Sequence, residues 1–336
     1  MNNTNPSSDK IGILILNLGS PSSTDYQSVR RYLSEFLSDQ RVIDYSKLFW
    51  QPILQGIILT SRPFRSGHAY KKIWNEELNE SPLITYSRAI SEKIAVKLAD
   101  HHKGISVTYA MRYGEPSTKQ GIKDLLAQGV DKILLFALYP QYSATTTASS
   151  YDKAFDYLKK VKHQPVVRTA PGWHDDSDYI DAIAKSIQDK LNSLDHQPEV
   201  ILTSFHGLPK RYLLEGDPYY HFCNKTSDLV CEKLGWDKEK WITTFQSRFG
   251  FEQWFQPYTD KTIEELAKKN VKKMMILSPA FVCDCLETLE EIAMQGRDIF
   301  LDNGGETFTY VPCLNDGDDH INLLYKRVVR ELQGWL

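Results

Sequence analysis

Glu199-Val200-Ile201-Leu202-Thr203-Ser204-Phe205-His206-Gly207-Leu208-Pro209 is the stretch on which the fold turns. Val200–Thr203 is a short apolar, β-branched run and predicts a buried strand. Gly207 and Pro209 stop it. His206 is left at the carboxyl end of that strand, the edge of an open α/β sheet where ligands bind. A core or turn histidine with a satisfied hydrogen bond is the plainer reading of this stretch alone. A second strand end further along, Pro279–Ile292, runs into a cluster of carboxylates and shifts the balance toward a site.

Outward from that stretch, strands and helices alternate. Before it, Ile11–Leu16, Ile105–Ala110, Lys132–Leu138 and Val166–Thr169 read as strands. Helical spacing covers Asp25–Phe36, Ile84–Asp100, Lys119–Gln128 and Asp178–Leu194. After it, Trp241–Phe245, Met274–Leu277 and Thr307–Val311 read as strands. Tyr219–Leu234, Ile263–Lys269, a segment from Glu287 and His320–Gln333 read as helices. The alternation predicts an α/β protein of doubly wound parallel sheets with right-handed crossovers.

A faint internal repeat divides the chain into two such Rossmann-like lobes. Leu18-Gly19-Ser20-Pro21 parallels His206-Gly207-Leu208-Pro209, Arg112-Tyr113-Gly114 parallels Arg248-Phe249-Gly250, and Val130 with Lys132–Leu138 parallels Val271 with Lys273–Leu277. The spacing between these motifs gives the first lobe about fifty extra residues. They fall on segment 37–80, where aromatic and aliphatic residues interleave with Arg62, Arg65, His68, Lys71 and Lys72. The segment is either a decoration on its own lobe or a lip over a large flat apolar ligand in the cleft between lobes. The expected boundaries are 10–173 for the first lobe including the lip, and 174–315 for the second, which carries the metal site. Residues 316–336 form a final helix packed back on the first lobe.

The 336 residues are 41% apolar and 25% charged, ordinary for a globular enzyme. A net charge of −3 without long basic runs excludes a general attraction to nucleic acid. Five scattered cysteines without a C-x-x-C pair fit a reducing cytosol better than a disulfide framework. Met1–Lys10 is polar and carries no apolar signal core. The most apolar window, Leu48–Thr60, is too short to span a bilayer but suits a membrane surface.

His206 is the one histidine placed directly after a predicted strand. Asp284, Glu287, Glu290 and Glu291 follow the strand ended by Pro279. If helical, Asp284, Glu287 and Glu291 form a single acidic stripe. Carboxylates are favoured near a helix N-terminus, which accounts for one or two of them. It does not account for a row on one face, where like charges repel. Imidazole and carboxylate together accept Fe(II), Zn(II) or Co(II). Two ligands make an open site, suited to a metal in transit rather than to a closed structural metal. The same pair could exchange protons.

These motifs resemble the ferrochelatases. Ser204-Phe205-His206-Gly207-Leu208-Pro209 is similar to the family's histidine motif, followed by Gly216-Asp217-Pro218-Tyr219. Phe245-Gln246-Ser247-Arg248-Phe249-Gly250 with Trp254, Pro257 and Thr259-Asp260 resembles the next block. Pro279-Ala280-Phe281 with Asp284-Cys285-Leu286-Glu287-Thr288-Leu289-Glu290-Glu291 resembles the glutamate block, and Tyr139-Pro140-Gln141-Tyr142-Ser143 with Thr145-Thr146 the tyrosine–proline stretch. The likeness runs from Ile11 to Pro312.

The resemblance implies a chelatase-type fold with a porphyrin cleft between the lobes. It implies a lyase that inserts Fe(II) into protoporphyrin IX, the last step of haem biosynthesis. His206 and Glu287 would be catalytic and would hold the metal. Arg62, Arg65, Tyr70, Ser247 and Trp254 would bind the porphyrin, with Asp284, Glu290 and Glu291 as an acidic relay. Some members carry an iron–sulfur cluster on cysteines near the C-terminus. This chain has none after Cys313, and Ala144 stands where such relatives can have one, so no cofactor is expected. The expected partners are protoporphyrin IX and Fe(II), with peripheral membrane contact through the lip, in a cytoplasmic monomer or homodimer. The alternatives are a chelatase for another tetrapyrrole or metal, and a non-catalytic haem or metal carrier.

Overall fold

The computed structural model describes residues 10–250 and 252–336; the polar amino-terminal stretch ahead of Lys10 lies outside them. The first lobe runs β1 (Ile11–Gly19), α1 (Tyr26–Leu37), α2 (Lys47–Ile53), α3 (Leu59–Ile73), α4 (Pro82–Ala99), β2 (Ile105–Tyr113), α5 (Thr118–Ala127), β3 (Lys132–Ala137), α6 (Ser149–Leu158) and β4 (Val166–Thr169). α7 (Ser177–Asn192) leads across. The second lobe runs β5 (Val200–His206), α8 (Lys210–Leu214), α9 (Tyr219–Leu234), β6 (Trp241–Gln246), α10 (Thr259–Lys268), β7 (Lys273–Leu277), α11 (Arg297–Asp302) and β8 (Thr307–Tyr310), followed by α12 (Asp318–Glu331).

Each lobe holds a four-stranded sheet, in the orders β2-β1-β3-β4 and β6-β5-β7-β8. All pairings are parallel. The second order repeats the first strand for strand, as the internal repeat in the sequence predicts. β1 explains why the strands read as continuous apolar runs. Ile13, Leu14, Ile15 and Leu16 are all fully buried, because helices cover both faces of the sheet.

The predicted strand at Val200–Thr203 continues to His206. The apolar pattern stops at Ser204, but Ser204 is buried with its hydroxyl donating to Gln246 Oε1 at 2.7 Å, so the ladder carries on to pair His206 with Gln246. Helix starts are likewise set by caps. Asp25 accepts from the backbone N–H groups of Gln27 and Ser28 at 2.8 and 3.1 Å, and α1 begins one residue later.

At the back of the molecule the lobes share one core. Ile13 and Ile15 of β1, Ile90 and Ile94 of α4, Ile183 and Ile187 of α7, Ile201 of β5, Met275 of β7 and Leu324 of α12 belong to a single buried cluster. The final helix packs on α4 of the first lobe and on α7. Arg327 of α12 reaches Asp176 at 2.7 Å and lies over the Trp173 ring at 5.7 Å.

Candidate active site

The two sheets are arranged so that the segments after their strands' carboxyl ends approach one another. His206 closes β5. Its Nδ1 lies 2.7 Å from the carbonyl oxygen of Gly207. A carbonyl can only accept, so Nδ1 carries the proton and Nε2 of the neutral ring is left with a lone pair. Burial pushes the imidazole below its ordinary range, and the Glu287 carboxylate pulls it back up. Gly207 is required here, because a Cβ would stand 2.8 Å from the Gln246 carbonyl and 3.3 Å from the Trp254 ring.

The glutamate block forms a π-helix, Leu286–Gly296, as does the shorter Ala144–Ala148 after β3 in the first lobe. Each follows the third strand of its lobe's repeat. Such wide turns often sit at functional sites. Glu287 lies in the first turn and is the carboxylate nearest in influence to His206. It also raises Tyr32, Tyr70 and Tyr139, each of them raised first by burial. These tyrosines come from α1, α3 and the turn after β3. The first lobe therefore walls in a glutamate of the second.

The expected acidic stripe does not form as one row. Asp284 precedes the helix and is buried, accepting from Tyr310 Oη at 2.6 Å, Asn315 Nδ2 at 2.7 Å and Thr288 Oγ1 at 3.0 Å. All three donors belong to its own lobe. Glu290 is buried too, ion-paired to Lys72 at 2.9 Å and accepting from Gln295 at 2.7 Å. Glu291 is the carboxylate left beside Glu287. It accepts from the Ser247 hydroxyl and from Gln246 Nε2, whose other contact is the Glu287 carbonyl at 2.9 Å. Burial raises the Glu291 carboxyl, and those donors only partly offset it.

Of the expected porphyrin contacts, Ser247 has its hydroxyl engaged by Glu291, and it adopts a left-handed backbone with φ of 65°. Trp254 is buried behind His206, against Gly207 and 5.4 Å from Phe249. Its indole N–H finds no acceptor among the described residues. Tyr70 lies inside the cleft wall rather than on a rim, buried edge-on to Tyr32 and Trp74. Arg62 is exposed, with Phe249 of the other lobe 5.8 Å from its guanidinium. Enclosure and neighbouring Arg65 lower it, against the pull of Glu287. Arg65 is exposed, and neither arginine has a carboxylate partner among the described residues.

Tyr32 and Tyr139 were not singled out from the sequence as site residues. Tyr139 follows β3 immediately, the same strand-end signal that marked His206. Tyr32 sits mid-helix, and no local signal separates it from a core tyrosine. Among the described residues no group of three or more histidine, cysteine or acidic side chains could hold a metal. Two groups such as His206 and Glu287 would make an open site, fitted to a passing ion rather than a resident one.

Two repeated α/β lobes meeting over such a pair define a chelatase fold. "SirB from Bacillus subtilis with Fe3+" superposes with a TM-score of 0.58 at 10% identity, covering 96% of this chain and 95% of that one. "The structure of CbiX, the terminal Enzyme for Biosynthesis of Siroheme in Denitrifying Bacteria" gives 0.53 at 10% identity, covering 95% and 98%. More narrowly, the chain belongs to the ferrochelatase family, whose model matches residues 10–332. It is 56% identical to the ferrochelatase of Allorhizobium ampelinum over 327 residues, 97% of this chain and 95% of the relative. With that of Agrobacterium fabrum it shares 54% over 327 residues, again 97% and 95%.

Proposed function

We propose that this chain is a protoporphyrin ferrochelatase. It inserts Fe(II) into protoporphyrin IX, releases the two pyrrole protons and yields protohaem, the last step of haem biosynthesis. What supports the reading is that Glu287 acts electrostatically on His206 and on the first-lobe tyrosines together, in a chain of this family. A planar porphyrin keeps its nitrogen lone pairs in the ring plane, away from an arriving ion. A cleft complementary to a bent macrocycle lowers that barrier, and two lobes joined by a common core supply stiff walls.

In this reading the Nε2 lone pair of His206 takes a pyrrole proton or holds the iron, and Glu287 faces it across the macrocycle. Glu291, held by Ser247 and Gln246, passes iron inward or protons outward. Asp284 and Glu290 take no part, being engaged elsewhere. Arg62 and Arg65, without carboxylate partners among the described residues, suit the two propionates, and Trp254 and Tyr70 line the walls.

The lip presents Leu48, Phe49, Ile57 and Phe64 to solvent at 90%, 65%, 67% and 65% exposure. No helix among the described residues is long and apolar enough to cross a membrane. This apolar edge, beside Arg65, His68 and Lys71, supports a cytoplasmic protein resting on the bilayer that holds its porphyrin. The test is an anaerobic assay of the purified protein with Fe(II) and a choice of porphyrins. Metallated protoporphyrin formed catalytically is the expected product. Binding without metallation would replace the reading with a carrier, and preference for another tetrapyrrole or metal with a different chelatase.

A further inference from the structure

Two sides of the cleft are held in different ways. At the back, one apolar core runs through both lobes. At the mouth, the buried clusters stay separate. One contains Val29, Tyr32, Leu33, Ile43, Trp50 and Leu54 of the first lobe, the other Phe205, Leu208, Tyr212, Tyr219, Phe245 and Phe255 of the second. What joins them at residues 42–45 is polar. The Arg211 guanidinium donates through both terminal nitrogens to the Asp44 carboxylate, and through Nε to Glu252 at 2.9 Å. The Tyr45 hydroxyl donates to the same Glu252, and the Tyr212 hydroxyl to the Val42 carbonyl at 3.2 Å. Arg211, Asp44 and Glu252 side chains are each about a third exposed, at 32%, 33% and 32%. Water can replace such contacts, whereas an apolar core cannot be parted without a large penalty.

We propose that Asp44, Tyr45, Arg211 and Glu252 form a latch that fastens the lip to the second lobe, and that its opening admits porphyrin and releases haem. The proposal rests on the ferrochelatase reading for what passes through. Arg211 sits in α8, which follows directly on the His206 loop. Lys210 N–H bonds the Gln253 carbonyl at 2.7 Å, and Pro209 bridges to Trp254. The fastening thus bears on the wall behind His206, with no latch residue reaching the reacting atoms. A closed latch holds the wall in place while iron enters; an open one leaves a path for a rigid disc.

The test compares wild type with Arg211→Ala, Asp44→Asn and the swapped pair Asp44→Arg/Arg211→Asp. Stopped-flow fluorescence quenching measures porphyrin association, and transfer of haem to apomyoglobin measures its release. Both single variants should speed haem release roughly tenfold, as expected for losing two or three exposed polar contacts. Single-turnover metallation of prebound porphyrin should stay within about twofold of wild type. The swap should restore slow release, and 0.5 M salt should speed release in wild type but not in Arg211→Ala, on the order of the screening expected of exposed pairs. Unchanged release in both variants would overturn the latch. So would a fall in single-turnover rate together with loss of porphyrin affinity, which would make Arg211 a strut of the binding wall. The association and release readouts use porphyrin and haem binding alone, so they stand apart from any failure of catalytic turnover.

Discussion

Lys72, on the lip helix α3, and Glu290, on the π-helix of the opposite lobe, form an ion pair at 2.9 Å. Lys72 is partly exposed, with 42% of its side chain open, while Glu290 keeps only 8%. Glu290 therefore ties the lip to the π-helix and has no free face toward the cleft. Its neighbour Glu291 does the opposite, turning to Ser247 and Gln246. Glu290→Gln should leave the KM for iron near wild type, and Lys72→Ala should cost about 1–3 kcal/mol by leaving a buried carboxylate unpaired. Glu291→Gln should raise the KM for iron several-fold, and Glu287→Gln should lower kcat by about 100-fold or more while porphyrin affinity holds. Steady-state kinetics with urea unfolding separates the four. Equal small kinetic effects at 287 and 291 would reduce both to ordinary helix-start carboxylates.

His206→Ala should abolish metallation with the fold intact. The imidazole bonds the adjacent Gly207 carbonyl, and the ring closes the strand without entering the apolar clusters. An unfolding midpoint within a few degrees of wild type, with turnover below a hundredth, is the expected pair of results, since about 1 kcal/mol moves Tm only slightly in a chain of this size. Near-normal turnover would remove His206 from the chemistry.

The two repeated lobes and their strands were legible because buried parallel strands write themselves as apolar runs and the repeat aligned one set with the other. His206 and Glu287 stand out as candidates because strand ends and acidic clusters are local features. The place of Asp284 was not legible because spacing alone cannot show where a helix begins. Three residues before Glu287 looked like the same face, but the helix starts at Leu286 and Asp284 turns inward to Tyr310 and Asn315. The burial of Tyr70 and Trp50 was not legible, for another reason. Their segment alternates apolar and basic residues throughout, and only packing against α1 and its neighbours decides which face is covered. The contacts of Asp44 with Arg211 and of Lys72 with Glu290 join distant parts of the chain, and no window of sequence contains both ends.

Asp284 should matter for stability more than for catalysis. It is a buried carboxylate held by three side-chain donors with no cation in contact. Asp284→Ala strands those donors and loosens the start of the π-helix, at an expected 2–4 kcal/mol, on the order found for breaking buried polar networks. Tyr310→Phe removes a single donor and should cost about 1–2 kcal/mol. Urea denaturation measures both. An Asp284→Ala variant of wild-type stability whose iron KM rises would return Asp284 to a relay.

His320 gives the fold an acid-sensitive point far from the cleft. It is buried in α12, its Nδ1 engages the Asn315 carbonyl, and its ring stacks on Trp173 at 6.4 Å. Burial lowers its pKa to about 4, with Asn315 and Asp316 opposing. Its folded value lies below the unfolded one, near 6.5. Between the two, the unfolded chain binds the extra proton. The contribution of a neutral His320 is complete above about pH 6.5 and is lost progressively as pH falls toward 4, by up to roughly 3 kcal/mol. His320→Gln should flatten stability over that window in urea titrations from pH 7 to 4. An equally steep loss in the variant would assign it to other groups.

The lip's apolar edge sorts into residues that can be changed freely and residues that cannot. Leu48, Phe49, Ile57 and Phe64 are open to solvent, whereas Trp50 is 7% exposed and donates its indole N–H to the Leu37 carbonyl at 2.6 Å. Burying each exposed side chain in lipid or against porphyrin is worth roughly 1.5–3 kcal/mol. Leu48→Ser with Phe49→Ser should therefore weaken liposome binding by tenfold or more, about 1.4 kcal/mol per decade, with turnover on detergent-dispersed porphyrin preserved. Arg62→Ala should raise the KM for protoporphyrin and leave that for iron unchanged, because an uncommitted guanidinium at the mouth meets a propionate and not the metal. Trp50→Ser should instead lower stability by about 3–5 kcal/mol, the range for emptying a large aromatic site. Flotation with anionic vesicles, run beside the kinetic assay, distinguishes the outcomes. Liposome binding unchanged in the Leu48/Phe49 pair, with the KM for protoporphyrin raised, would assign that edge to the substrate and not to the membrane.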